Sequence, residues 1–281
     1  MHYRRIRPSP AVEPYIEFYW TLALASAAGY EQRIIPDGRA GIILNFASPF
    51  ESLANGVWKS QPGCFFIGQI TRPLLLRPSG AARMIGIQFR PNGAAQLLGL
   101  PISELTDSAI ALDDLQLKLF RQLEWVRVLP SPAQSIKALD NIFRSFSERV
   151  RIDDRLVSYA IGNIERAGGS VSIKDVAARA GCSARQLERR FRNSVGISPK
   201  LFSRMQRFQE VLRVAGGPDS DWINAAVRCG YYDQAHLIRD FREFSGKTPT
   251  ALLDREIDFT RRFVQPREMS HFSNTSERSS R

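Results

Sequence analysis

Two nine-residue stretches lie fifty residues apart, FRNSVGISP from Phe191 to Pro199 and FREFSGKTP from Phe241 to Pro249. They share Phe-Arg at the start, Gly at the sixth place and a small hydroxyl residue before Pro at the end. Each reads as the end of one helix and the start of the next. The glycine stops the first, the hydroxyl caps the second, and Pro takes the first helical position, where a missing N–H costs nothing. A chain that punctuates itself twice in this way contains two copies of one helical unit.

In the first copy, Ser172-Ile-Lys-Asp175 is a capping signal, followed by a narrow apolar stripe of Ile173, Val176, Ala177 and Ala180. Gly181-Cys182 breaks that helix. Ser183 caps a second, with Gln186 at its third position and Leu187 and Phe191 on its inward face. In the second copy Trp222, Ala225, Ala226 and Cys229 form the stripe, and Gly230-Tyr231-Tyr232 the turn. Asp233 is the cap, with Leu237 and Phe241 inward. Two short helices across a tight turn have helix-turn-helix spacing, and the alanines let the axes approach closely. Between the copies, Leu201, Met205, Phe208 and Leu212, with Phe202 and Val211 on a second face, describe a linker helix of about sixteen residues, roughly 24 Å long.

With the Leu–Phe pairs inward, Arg185, Glu188, Arg189 and Arg192 face outward in the first unit. Gln234, Ala235, Ile238, Arg239 and Arg242 do so in the second, with His236 near a base or phosphate. Arg forks onto guanine, Gln pairs with adenine, Glu accepts from cytosine and Ile touches a thymine methyl. The bland alternative is a solvated charged face with i,i+4 pairs. Charge favours the first reading: residues 170–250 carry 14 basic and 8 acidic side chains, more than half of the chain's +11 in under a third of its length. Arg190 and Asp240 occupy equivalent flank positions, solvated or ion-paired. Cys182 and Cys229 sit where a small side chain packs, which outweighs a redox switch.

Residues 1–130 read as mostly strand and turn. Arg33–Ile35 and Ile42–Phe46 are strands around a Pro36-Asp37-Gly38 turn; Cys64–Gly68, Leu74–Leu76 and Met84–Phe89 are others. Ala94–Leu98 is a short helix stopped by Gly99. Phe18–Tyr30 loosely mimics an export signal, but Glu13 and Glu17 precede it, which favours a strand. A helical connector (131–150) opens at Ser131-Pro132, and a Ser/Arg-rich tail (263–281) is expected to be disordered. Three widely spaced cysteines and three histidines offer no disulfide framework or metal pattern, and no apolar run reaches eighteen residues, so neither metal, cofactor nor membrane is expected.

From about Ile152 to Leu253 the chain resembles the DNA-binding domain of AraC/XylS-type bacterial transcription regulators. The resemblance is sharpest over Ala225–Arg242 and Gly246-Lys-Thr-Pro249. It implies double-stranded DNA as partner, read on one face at adjacent major-groove segments (151–255). Base contacts would come from the positions of Arg185, Glu188 and Arg189, and of Gln234, His236 and Arg239. Ala225-Ala226 replaces the usual Ile-Ala, and Tyr231 the usual Phe, both small packing changes. Ile34–Gly38, Ile43–Phe46 and Gly86–Ala94 resemble an uncharacterised N-terminal domain that accompanies this DNA-binding domain in some regulators. The expected fold is therefore α+β: a strand-rich, cupin-like N-terminal domain before an all-α domain of two helix-turn-helix units on a linker helix. The expected role is that of a cytoplasmic transcription activator that contacts RNA polymerase, its N-terminal domain sensing a small-molecule effector or forming a homodimer. Arg33, Asp37, Arg39, Asn45 and Arg90 are candidate effector ligands, or merely strand-end and turn chemistry. The alternative is a repair or other enzyme fused to the same DNA-binding domain. A methyl-accepting repair domain wants clustered cysteines, however, and the N-terminal half has only Cys64.

Overall fold

The computed structural model describes residues 2–25, 31–115, 119–150, 154–215 and 222–255. In chain order the N-terminal elements are β1 (His2–Ile6), β2 (Ile16–Leu24), β3 (Gln32–Ile34), β4 (Gly41–Asn45), β5 (Phe50–Ala54), β6 (Val57–Ser60), β7 (Cys64–Ile67), β8 (Leu74–Pro78), β9 (Ala82–Phe89), α1 (Gly93–Leu98), β10 (Ala109–Ala111), α2 (Phe120–Arg127) and α3 (Pro132–Ser147). The strands make two antiparallel sheets, a six-stranded one ordered β1-β2-β9-β4-β7-β10 and a four-stranded one ordered β3-β8-β5-β6.

Alternation along the strands gives the large sheet two apolar faces. Tyr19, Ile42, Leu44, Phe66, Ile85, Ile87 and Phe89 pack against α1, α2 and α3, where Leu123, Leu139 and Phe143 close the core. Phe18, Trp20, Leu22 and Met84 point the other way, toward Phe50 and Leu76 of the small sheet. The strands flanking Pro36-Asp37-Gly38 do not pair with each other. β3 pairs with β8 in the small sheet and β4 with β7 and β9 in the large one, so the segment crosses between sheets. The apolar run beginning at Phe18 is strand β2 as far as Leu24, between β1 and β9 in the large sheet; residues 26–30 lie outside the described residues. Residues 120–127 form a helix that the sequence reading does not place, its apolar positions Leu123 and Val126 wholly buried against the sheet.

The C-terminal elements are α4 (Arg155–Arg166), α5 (Ile173–Arg179), α6 (Ala184–Val195), α7 (Pro199–Val214), α8 (Trp222–Arg228), α9 (Gln234–Ser245) and α10 (Pro249–Arg255). They share one core, centred on Phe191, Phe202, Phe208 and Phe241. Among the described residues no helix is long and apolar enough to cross a membrane. The expected disordered tail, 263–281, lies outside the described residues.

The two halves touch through the 35–39 segment. Ile35 is buried within the C-terminal core, and the Asp37 carbonyl accepts from Gln206 Nε2 at 3.2 Å, with Pro36 doing the same for Gln209. Arg39 reaches Glu165 of α4 at 3.3 Å, Asn92 donates to Ser158, and Thr106 donates to the Gly196 carbonyl. Gly38 (φ +80°) approaches Phe202 so closely that an added Cβ would lie 2.6 Å from the ring.

Candidate nucleic-acid interface

Each unit is built by its caps. Ser172 accepts from the Asp175 N–H to start α5, and Ser183 and Gln186 close a reciprocal capping box on α6. Asp233 accepts from the His236 N–H at 2.6 Å to start α9, while Gly196 and Gly246 end α6 and α9 in the left-handed conformation. Ser198 and Thr248 cap the helices that follow, ahead of Pro199 and Pro249.

Both second helices sit with the same face inward. Leu187 and Leu237 are at most 1% exposed, and Phe191 and Phe241 are fully buried. Both pack on α7: Phe191 meets Phe202 with ring centres 5.5 Å apart, and Phe208 meets Phe241 edge-on at 4.9 Å. Each of these side chains contributes about 1.5–3 kcal/mol by leaving water. Turning α6 or α9 over would forfeit that and bury arginines, so the opposite face is held outward. Arg185, Glu188, Arg189 and Arg192 are exposed on α6, and Gln234, Ala235, Arg239 and Arg242 on α9, with Ile238 half-buried. Glu188 and Arg192 pair at 3.0 Å, an exposed i,i+4 contact worth a few tenths of a kcal/mol, about what an incoming phosphate or base edge displaces easily.

His236 departs from the outward set. Its ring stands edge-on to Tyr231, 5.1 Å between centres, and Nε2 lies 3.8 Å from Asp240. The two flank positions also differ. Arg190 pairs at 2.7 Å with Asp154, which simultaneously caps α4. Asp240, by contrast, is wholly buried, 2.6 Å from Arg204 of α7 and 3.1 Å from the Tyr231 hydroxyl. Arg204 also meets Glu243 at 2.6 Å and lies over the Phe244 ring. Burial works against its charge, but Glu243 and Asp240 outweigh that and hold its pKa above the usual arginine value. Burial, reinforced by Asp240, raises the Tyr231 hydroxyl, which therefore stays a donor. The sequence leaves Asp240 either solvated or ion-paired; the structure makes it ion-paired, with a partner thirty-six residues earlier on α7 that helix periodicity does not identify. Burial also raises the Cys229 thiol, and Trp222 packs partly buried against the core, so neither faces the reading surface.

Of the five candidate effector residues, Asp37 and Arg39 line a cavity of about 120 Å³ between the two sheets. The others lie elsewhere. Asn45 donates to the Pro62 carbonyl, Arg90 to that of Glu13, and Arg33 lies beside Gly246 at the end of α9.

Residues 176–255 match the family described as "Helix-turn-helix domain". This chain carries an AraC-type helix-turn-helix domain. It is accordingly a DNA-binding transcription regulator. Residues 4–111 match a "Domain of unknown function (DUF6597)", the uncharacterised partner domain that the sequence resembles. No curated protein matches the chain. Among solved structures it is similar to ToxT from Vibrio cholerae, at 12% identity over 84% of this chain and 97% of that one, with a TM-score of 0.43. The wild-type ToxT structure with bound unsaturated fatty acid gives 12% identity over 83% and 93%, TM-score 0.43. The AraC-like transcriptional activator CuxR gives 16% over 74% and 81%, TM-score 0.30.

Proposed function

We propose that the protein is a sequence-specific transcription activator of the cytoplasm rather than an enzyme, and that α6 and α9 read adjacent major-groove segments on one face of a duplex. The observation that carries this is the matched pair of helices on α7. Each buries a Leu–Phe pair in the same register and turns arginines outward. Arg185, Arg189 and Arg192 serve α6; Gln234, Arg239 and Arg242 serve α9. Base edges are met by Arg and Gln forks, and phosphates by the remaining cations. The N-terminal domain senses an effector or joins a second copy, and RNA polymerase is the target of activation. The cavity beside Asp37 and Arg39 supports the sensing role, because the same segment rests on α7. Selection of bound fragments from random-sequence DNA by the full-length protein tests the reading. A bipartite enriched motif is expected; recovery of DNA with no enriched sequence would overturn sequence-specific reading.

A further inference from the structure

Backbone hydrogen bonds match the turns of the two reading units residue by residue, and one residue is left over. In the first unit the Gly181 N–H donates to the Ala178 carbonyl at 3.1 Å and the Cys182 N–H to that of Ala177 at 3.0 Å. In the second, Gly230 donates to Val227 at 3.0 Å and Tyr231 to Ala226 at 3.1 Å. Cys182 and Tyr231 are therefore equivalent. Cys182 leads straight into the cap Ser183, whereas Tyr232 stands between Tyr231 and the cap Asp233. This extra residue is 96% exposed, while Tyr231 is buried and commits its hydroxyl to Asp240.

A single exposed aromatic side chain is ordinary on a protein surface; position gives this one a role. Laying Leu187 on Leu237 sets Arg185 of α6 against Ala235 of α9. The first turn of α9 thus carries Gln234, Ala235 and His236, with neither arginine nor lysine, and the His236 ring is turned to Tyr231. The cap carboxylate is taken up by the His236 N–H. A reading helix enters the major groove with its N-terminal residues toward the bases. A side chain one residue before the cap lies outside that helix, at the rim where the phosphates run. A tyrosine hydroxyl there is a neutral donor suited to a phosphate oxygen. Resting on the DNA-reading function above, we propose that the Tyr232 hydroxyl donates to a backbone phosphate at the rim of the groove that α9 enters, a positioning contact that stands in for the arginine the second unit lacks.

The test uses the full-length protein and duplexes carrying its selected motif, read by fluorescence anisotropy. Tyr232→Phe keeps the ring and removes the hydroxyl. Loss of a hydrogen bond to a charged group predicts about 10-fold weaker binding, and Tyr232→Ala should lose at least as much. The donor is neutral and a phosphate carries no sequence information, so the salt slope and the selected motif should both stay as in the wild type. The melting temperature should not move, because nearly all of the side chain is in water. Methylphosphonates placed singly along the α9 half of the motif locate the partner: at one position the difference between wild type and Tyr232→Phe should vanish. Wild-type affinity in both variants, or no position at which the difference vanishes, would overturn the contact. A changed motif would assign Tyr232 to a base and overturn the phosphate. A melting temperature that falls with the affinity would make the role structural. Unchanged DNA affinity with lost transcription by RNA polymerase in vitro would assign Tyr232 to a protein partner and overturn the proposal as well. Arg239→Ala separates the two levels of failure: if it alters the motif while the Tyr232 variants bind as wild type, this contact alone fails. If the wild type selects no motif, the DNA-reading function fails with it.

Discussion

Replacing Arg204 by Met strands a charge. The wild-type guanidinium reaches Asp240 through Nη2 at 2.6 Å and Nε at 3.2 Å, and Asp240 is 0% exposed. After the substitution the carboxylate keeps the Tyr231 hydroxyl and a distant His236 nitrogen. Removing one partner of a buried pair costs about 3–5 kcal/mol. The Arg204 side chain is 24% exposed, so water reaches the gap and about 3 kcal/mol is expected. The loss falls on the contact between α9 and α7, so it opens the second unit first. Hydrogen exchange measured by mass spectrometry should show α9 amides exchanging about 100-fold faster, two decades at about 1.4 kcal/mol each, with α6 unchanged. Arg190→Met is the internal control. Arg190 is half exposed, and Asp154, 12% exposed, keeps its bond from the Val157 N–H, so the loss should stay below about 1 kcal/mol. Adding Asp240→Leu to Arg204→Met should recover much of the protection, because the stranded charge is gone. Unchanged exchange in α9, or equal acceleration in α6, would refute the claim that this pair locks the second reading helix alone.

Binding to DNA should weaken linearly in log–log form as salt rises, from several phosphate contacts; an affinity flat between low and high salt would contradict the interface. Burial raises the Asp37 pKa to about 6, above its unfolded value of about 4, so the folded chain holds an extra proton between those values and stability falls as pH rises through them. Asp37→Asn should therefore raise the melting temperature at pH 7.5 and gain little at pH 5; equal gains at both would show that desolvation of this carboxylate is not what costs stability. Gly38→Val combines a left-handed backbone with a Cβ 2.6 Å from the Phe202 ring, so it should loosen the docking of the N-terminal domain on α7 by about 1–3 kcal/mol. Faster exchange in 35–39 and in α7 checks this, and unaltered exchange there would count against it.

The DNA-reading half was legible because its signals are local. Ser183 with Gln186, Asp233, Gly196 and Gly246 mark helix ends within a few residues, and Leu187 with Phe191 shows the buried face by spacing alone. What escaped depends on partners far along the chain. Asp240 stayed open between solvated and ion-paired until Arg204 and Tyr231 were placed beside it, and His236 read as facing a base or phosphate until Tyr231 was placed against its ring. In the N-terminal half the apolar runs located strands but not their neighbours. β3 and β4 flank a turn-like tripeptide yet join different sheets, since pairing there is decided by β8 and β9, forty residues onward. The same holds for Arg39, whose carboxylate partners Glu17 and Glu165 come from opposite ends of the fold.

The most direct measurement compares the base preferences of Arg189→Ala and Arg239→Ala by selection from random DNA. Two helices held on α7 and reading together should lose preference by about 1–3 kcal/mol each, at positions separated by roughly one helical turn, about 10 base pairs, on one face of the duplex. Loss at the same positions in both variants, or at none in either, would contradict simultaneous reading by the two helices.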